Sequence, residues 1–149
     1  CAARRHIRAY RIFCAEAVQL MKQRASSGSP YEEQFGFSRA VREGNRIIVA
    51  GTGPIEDDGT TTPGDAAAQA ERFFALIVKS IEELGGTAAD VVRTRMFLTD
   101  IDEQSAVGEV HARYFGAARP AATMVGVATL CRPEWIVEIE AEAVIEAPQ

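Results

Sequence analysis

The chain has 149 residues, 47% of them hydrophobic and 25% charged, which fits a single soluble domain built around one core. Its net charge of −5 argues against nucleic acid as a partner, because polyanion binding needs a basic footprint. No apolar run approaches the ~20 residues of a membrane-spanning helix. The three cysteines (Cys1, Cys14, Cys131) are widely spaced and the only histidines are His6 and His111, so neither a disulfide framework nor a histidine-rich metal site is expected. This usage points to a reducing, cytoplasmic setting, with no metal and no cofactor.

Residues 1–24 differ in character from the rest. Arg4, Arg5, Arg8, Arg11, Lys22 and Arg24 crowd into them, while Ile7, Tyr10, Cys14, Ala17, Val18 and Met21 recur at helical spacing. The stretch reads as an N-terminal extension, an added or upstream segment with Met21 as a candidate start, or else a basic surface helix. Residues 25–149 then form the domain. Ala25-Ser26-Ser27-Gly28-Ser29-Pro30 has the composition of a linker. Phe37 to Arg42 alternates as a strand would, and Glu43-Gly44-Asn45 marks a tight turn. Arg46 to Ala50 is a short apolar strand that ends at Gly51-Thr52-Gly53-Pro54, where glycine permits a sharp turn or close approach to a ligand. No phosphate-loop pattern accompanies it.

Asp65 is a suitable N-cap for a helix over 66–84, in which Ala66, Ala70, Phe73, Phe74, Ile77, Ile81 and Leu84 form one stripe, with Gly85-Gly86 as its stop. Val91 to Thr99 reads as a strand carrying Arg93 and Arg95 on one face. Asp102 can cap a second helix over 103–115, with Val107, Val110, Tyr114 and Phe115 inward and His111 close to that stripe. The last stretch, Pro120 to Ile145, is expected to be a hairpin. Its second arm puts Val137, Ile139, Ala141, Ala143 and Ile145 on one face and Glu138, Glu140 and Glu142 on the other, about 7 Å apart. Arg93 and Arg95 are placed to pair with those carboxylates across strands. These elements give an α/β (α+β) architecture, a mixed sheet with two helices on one face and self-association covering the other.

Three motifs in this order resemble the Rid family of reactive-intermediate deaminases, also called YjgF-like or endoribonuclease L-PSP proteins. They are Gly44-Asn45-Arg46-Ile47-Ile48-Val49-Ala50-Gly51, Asp90-Val91-Val92 through Thr99-Asp100, and Arg119-Pro120-Ala121 with Val137-Glu138-Ile139-Glu140-Ala141. The resemblance covers about residues 30–146. It implies a chorismate-mutase-like fold and a homotrimer around a central β-barrel, with a small-molecule ligand bound in clefts between subunits. It also implies hydrolysis of the enamines and imines released by pyridoxal-phosphate enzymes.

Carried over residue by residue, the family's glutamate is Glu138, its first-strand tyrosine is Phe37, its cysteine is Met124 and its carboxylate-gripping arginine is Ala122. The asparagine of its second helix corresponds to Gly108. Glu138 is therefore the candidate base, His111 its candidate partner, and Phe37, Thr52, Glu109, Ala122, Thr123 and Met124 the candidate binding residues. Alanine supplies no charge-assisted grip on an anion, so substrates of the 2-aminoacrylate type are expected to be poor unless Arg39, Arg42 or Arg119 reaches the cleft. The alternative is a non-catalytic trimer that binds a small metabolite in the same clefts. A ribonuclease or translation inhibitor is a remote third reading.

Overall fold

The computed structural model describes residues 22–146, and most of the 1–24 extension lies outside them. At the junction of the expected extension and linker, Gln23–Ala25 forms a short strand, β1, with Ala25 buried. The Ser26–Ser29 turn follows, and Pro30–Phe35 makes a helix, α1. Ser29 caps it, proline occupies its first turn, and Gly36 ends it in the left-handed region at φ 72°. The alternating stretch from Phe37 becomes strand only at Ala40–Glu43, β2, because the chain is still leaving α1 before that.

β2 turns at Gly44-Asn45 into β3, Arg46–Thr52. The long helix α2 spans Ala66–Glu83, with the Asp65 carboxylate accepting from the Ala68 N–H. β4 is Val91–Leu98, α3 is Gln104–Phe115, β5 is Ala121–Gly126 and β6 is Val137–Val144. Asp102 does not cap α3 as expected. Asp100 instead accepts from the Asp102 N–H and caps a single 3₁₀ turn over Ile101–Glu103, which feeds the helix without a side-chain cap of its own.

The strands form one mixed sheet in the order β1-β2-β3-β6-β4-β5, and this overturns the expected final hairpin. β6 runs antiparallel between β3 and β4, while β5 lies at the far edge, parallel to β4. The burial patterns explain the difference. Val137, Ile139, Ala141 and Ala143 are all buried and belong in a central strand, whereas five of the six β5 residues are exposed, as suits an edge. Parallel neighbours need a long crossover, and α3 supplies it.

Both long helices pack on one face of the sheet. Phe73, Phe74, Ile77 and Ile81 of α2 and Val107, Val110 and Phe115 of α3 meet Ile47, Val49, Leu98, Val137 and Ile139, all 1% exposed or less. The opposite face carries the predicted charge grid. Glu140 pairs with Arg95, and Glu142 pairs with Arg46 at 2.9 Å and lies 3.9 Å from both Arg93 and Arg95. Ile48 and Val125 are 49% and 40% exposed on that face, which no other described part of the chain covers.

Candidate functional site

Glu138 lies on β6 opposite Phe97 of β4, one residue-pair along from the grid that absorbs Glu140 and Glu142. It makes no ion pair among the described residues. Its carboxylate rests instead on the backbone of Gly51: a β-carbon added there would lie 2.3 Å from Glu138 Oε1. Gly51 and Gly53, at the irregular end of β3 where the register against β6 shifts, thus admit side chains of the protein itself. Gly53 lies under the Trp135 ring, where an added β-carbon would come within 2.1 Å.

This end of β3 is held by Arg39, whose Nη1 donates to the Gly51 carbonyl at 2.8 Å and to Thr52 Oγ1 at 2.9 Å. Thr52 Oγ1 in turn donates to the Ala50 carbonyl at 2.8 Å, so the threonine hydroxyl, 2% exposed, is fully used as a brace. Burial pushes the Glu138 carboxyl above the ordinary carboxylate range; Arg39 opposes that shift and Glu140 adds to it. Burial likewise lowers the Arg39 guanidinium, with Glu32 and Glu138 opposing. The arginine is thus close enough to feel Glu138 without touching it. Its Nε is buried and has no hydrogen-bond partner.

Arg39 and Thr52 also form part of the wall of a cavity of about 510 Å³ between the Ser26–Tyr31 segment, the loop after Gly53 and the outer side of α2. Glu138 is not in that wall, so the candidate base stands beside this space, with Arg39 on the boundary. Among the described residues, no group of three or more His, Cys, Asp or Glu side chains is gathered as a metal site would require.

The other candidate residues divide into two places. Phe37, 39% exposed, precedes Arg39 by two positions and donates its backbone N–H to the Glu32 carbonyl at 3.0 Å. His111 is on the helix side of the sheet, hydrogen-bonded through Nε2 to Thr94 Oγ1 at 2.9 Å and set edge-on against Phe74 at 5.6 Å. Burial lowers its pKa below 6.5. Since Thr94 faces the helices and Glu138 faces away from them, the expected Glu138–His111 partnership is not made within one chain.

Glu109 is exposed on α3, and Ala122 and Thr123 are exposed on the edge strand β5. Met124 packs partly against the core. Strands β6 and β5 are two spacings apart, about 10 Å, with β4 between them. Thr52 and Glu138, at the end of β3 and on β6, are thus kept apart from the β5 residues within one chain. Arg39 is the participant that sequence reading left as one of three cations. A lone arginine in an alternating strand carries no signal of where its guanidinium will turn.

Comparison with known proteins places this arrangement. A family model for Endoribonuclease L-PSP matches residues 30–145. An uncharacterized protein of Streptomyces coelicolor is 39% identical over 129 residues, covering 87% of this chain and 93% of that one. A RutC family protein of Pyrococcus abyssi is 35% identical over 108 residues, covering 72% and 84%. Among solved structures, a Mycobacterium tuberculosis member of the YjgF/YER057c/UK114 family is 44% identical with a TM-score of 0.76, covering 84% of this chain and all of the other. The YjgF gene product of Escherichia coli is 30% identical with a TM-score of 0.70, covering 80% and 92%. With its fold, its motifs and these relatives in agreement, the chain belongs to the endoribonuclease L-PSP family, the YjgF/Rid group of proteins.

Proposed function

We propose that the protein hydrolyses small imines or enamines, with Glu138 as the group that activates water, in clefts completed by neighbouring copies of a homotrimer. The observation that carries this reading is the contrast along β6. Glu140 and Glu142 are neutralised by arginines, whereas Glu138 is half-buried, lacks a contacting cation and is pushed toward a higher pKa. A carboxylate so placed is a stronger base than one in water. Water adds through oxygen to the imine carbon while its proton passes to Glu138. Glu138 returns that proton to the nitrogen, giving a neutral carbinolamine, and then relays the hydroxyl proton to the nitrogen as the C–N bond breaks, leaving a carbonyl compound and ammonia with Glu138 ionised.

Self-association is supported by the uncovered sheet face with Ile48 and Val125 and by the two groups of candidate residues that one chain keeps apart, and the trimer is the form that the family resemblance implies. An exposed free Cys131 suits the reducing cytoplasm.

A second reading, a trimer that binds a small metabolite without turning it over, is favoured by β5, where Ala121-Ala122-Thr123-Met124 offers no charged group. The ribonuclease reading has only the family's name behind it. Ammonia release from a panel of imines generated in situ by amine and amino-acid oxidases separates the first two readings. Release faster than in buffer supports the hydrolase. Saturable binding of the carbonyl products with no acceleration for any imine supports the binding protein.

A further inference from the structure

We propose that Arg39 is the anion-recognition residue of the Glu138 site, the unspent edge of its guanidinium receiving a carboxylate borne by the substrate. The inference rests on the hydrolase reading above and supplies the substrate class that β5 leaves undefined.

Apart from Arg24 on the edge strand β1 and Arg119, the other cations near the sheet are already occupied. Arg42 donates to the carbonyls of Gly44 at 2.9 Å and Leu84 at 2.7 Å, at the opposite end of its strand. Arg46, Arg93 and Arg95 serve Glu140 and Glu142. Arg72 serves Glu56 and Asp57, and Arg132 lies over Trp135 while holding the Gly59 carbonyl. Arg119 is exposed beyond α3, remote in sequence from Gly51.

Arg39 differs from all of these. Only Nη1 is used, to fix the Gly51–Thr52 segment, so the Nε–Nη2 edge keeps its donors. That edge is the fork that matches the two oxygens of a carboxylate. Its Nε is withdrawn from water without an acceptor, a state that costs free energy and that a carboxylate relieves.

Neither nearby carboxylate of the chain takes this position. Glu32 is held by Ser26 Oγ at 2.6 Å and by Ser27 through its N–H at 2.9 Å and its hydroxyl at 2.6 Å. Glu138 leans on Gly51 instead. The guanidinium also borders the 510 Å³ cavity, whose wall holds Arg72, Lys79 and Arg132 together with Glu56, Asp57, Asp58 and Glu83, so the space offers room but no net positive charge. Arg39 and Glu138 lie close enough for each charge to act on the other, so an anion on the free edge comes next to the candidate base.

The test compares kcat/KM for two imines that differ only in a carboxylate, one made from an amino acid and one from the corresponding primary amine. Wild type, Arg39→Gln, Arg39→Lys and Glu138→Gln are measured, with thermal unfolding as a check on the segment that Arg39 braces. In Arg39→Gln the preference for the carboxylate-bearing imine should fall by about 30-fold or more, chiefly through KM, the scale for losing one partner of a buried charge pair. Arg39→Lys, which keeps the charge but not the fork, should recover part of it. An equal loss on both imines makes Arg39 a structural brace and overturns the inference.

If Glu138→Gln leaves both rates untouched, the hydrolase reading fails while the role of Arg39 is still decided by titrating 2-oxobutanoate into wild type and Arg39→Gln by NMR. Weaker binding in the variant sustains the inference, and equal or absent binding in both rejects it.

Discussion

Glu138 and Gly51 fit against each other so closely that a β-carbon on the glycine would sit 2.3 Å from the carboxylate oxygen. Gly51 is not in the left-handed region of backbone space, so alanine there meets no conformational obstacle, only the movable end of Glu138. Gly51→Ala should therefore leave the unfolding temperature close to that of wild type while displacing the candidate base. A displacement of about 1 Å can cost on the order of 100-fold in rate. Gly53→Ala makes the opposite case, because the obstacle is the buried Trp135 ring. It should destabilise by about 1–3 kcal/mol, the cost of overpacking a filled site. Thermal melts and rates on the two variants check both outcomes together.

The pH dependence of Glu138 has a definite sign. Its folded pKa lies above the ordinary value of 4.5, so the ionised base accumulates only above that pH and the hydrolytic rate should rise with pH through a midpoint above 4.5. Stability runs the other way. Between 4.5 and the folded pKa the native chain binds the proton more tightly than the unfolded chain, so this group lowers stability as pH rises across that window. Glu138→Gln should accordingly gain stability relative to wild type on going from about pH 4 to pH 7, with denaturant melts at the two pH values as the measurement.

His111 makes a contrasting prediction, on the helix side of the sheet. Its pKa is depressed by burial, so between 6.5 and its folded value the unfolded chain takes up the proton first and stability falls as acid is added. His111→Gln should flatten that part of the stability profile. Thr94 is fully buried, and Thr94→Val removes the hydrogen-bond partner of Nε2, which should cost about 1–3 kcal/mol.

The uncovered sheet face should be an interface between copies. Val125→Glu puts a charge where an apolar side chain is 40% exposed in the single chain, so light scattering should show the assembly of wild type dissociating in the variant. A wild-type protein that scatters as a monomer would remove the shared cleft.

Much of the fold was legible because hydrophobic periodicity and caps are local. The stripe from Ala66 to Ile81 and the Asp65 cap placed α2 to within a residue, and the alternation in β6 sorted its carboxylates from its core. Strand order was not legible. Whether Val137–Val144 pairs with its sequence neighbour or slots between β3 and β4 depends on which strand is buried on both sides, and the expected hairpin gave way to that. The short α1 was missed because it starts at the last residue of the stretch read as linker and has only two turns, with Ser29 and Pro30 as its local signals. Of the site, the β6 pattern put Glu138, Glu140 and Glu142 on one face, and only the family resemblance singled out Glu138. Its separation from His111 and its proximity to Arg39 were not legible, since both depend on which face of the sheet, and which side of Gly51, a side chain occupies.

The rate of imine hydrolysis by Glu138→Gln tests the central claim most directly, because the amide keeps the shape of the side chain and removes only its basicity. Measured as ammonia release above the buffer rate, the variant should be slower by about 100-fold or more, the scale of general-base catalysis. A variant as fast as wild type would contradict the account.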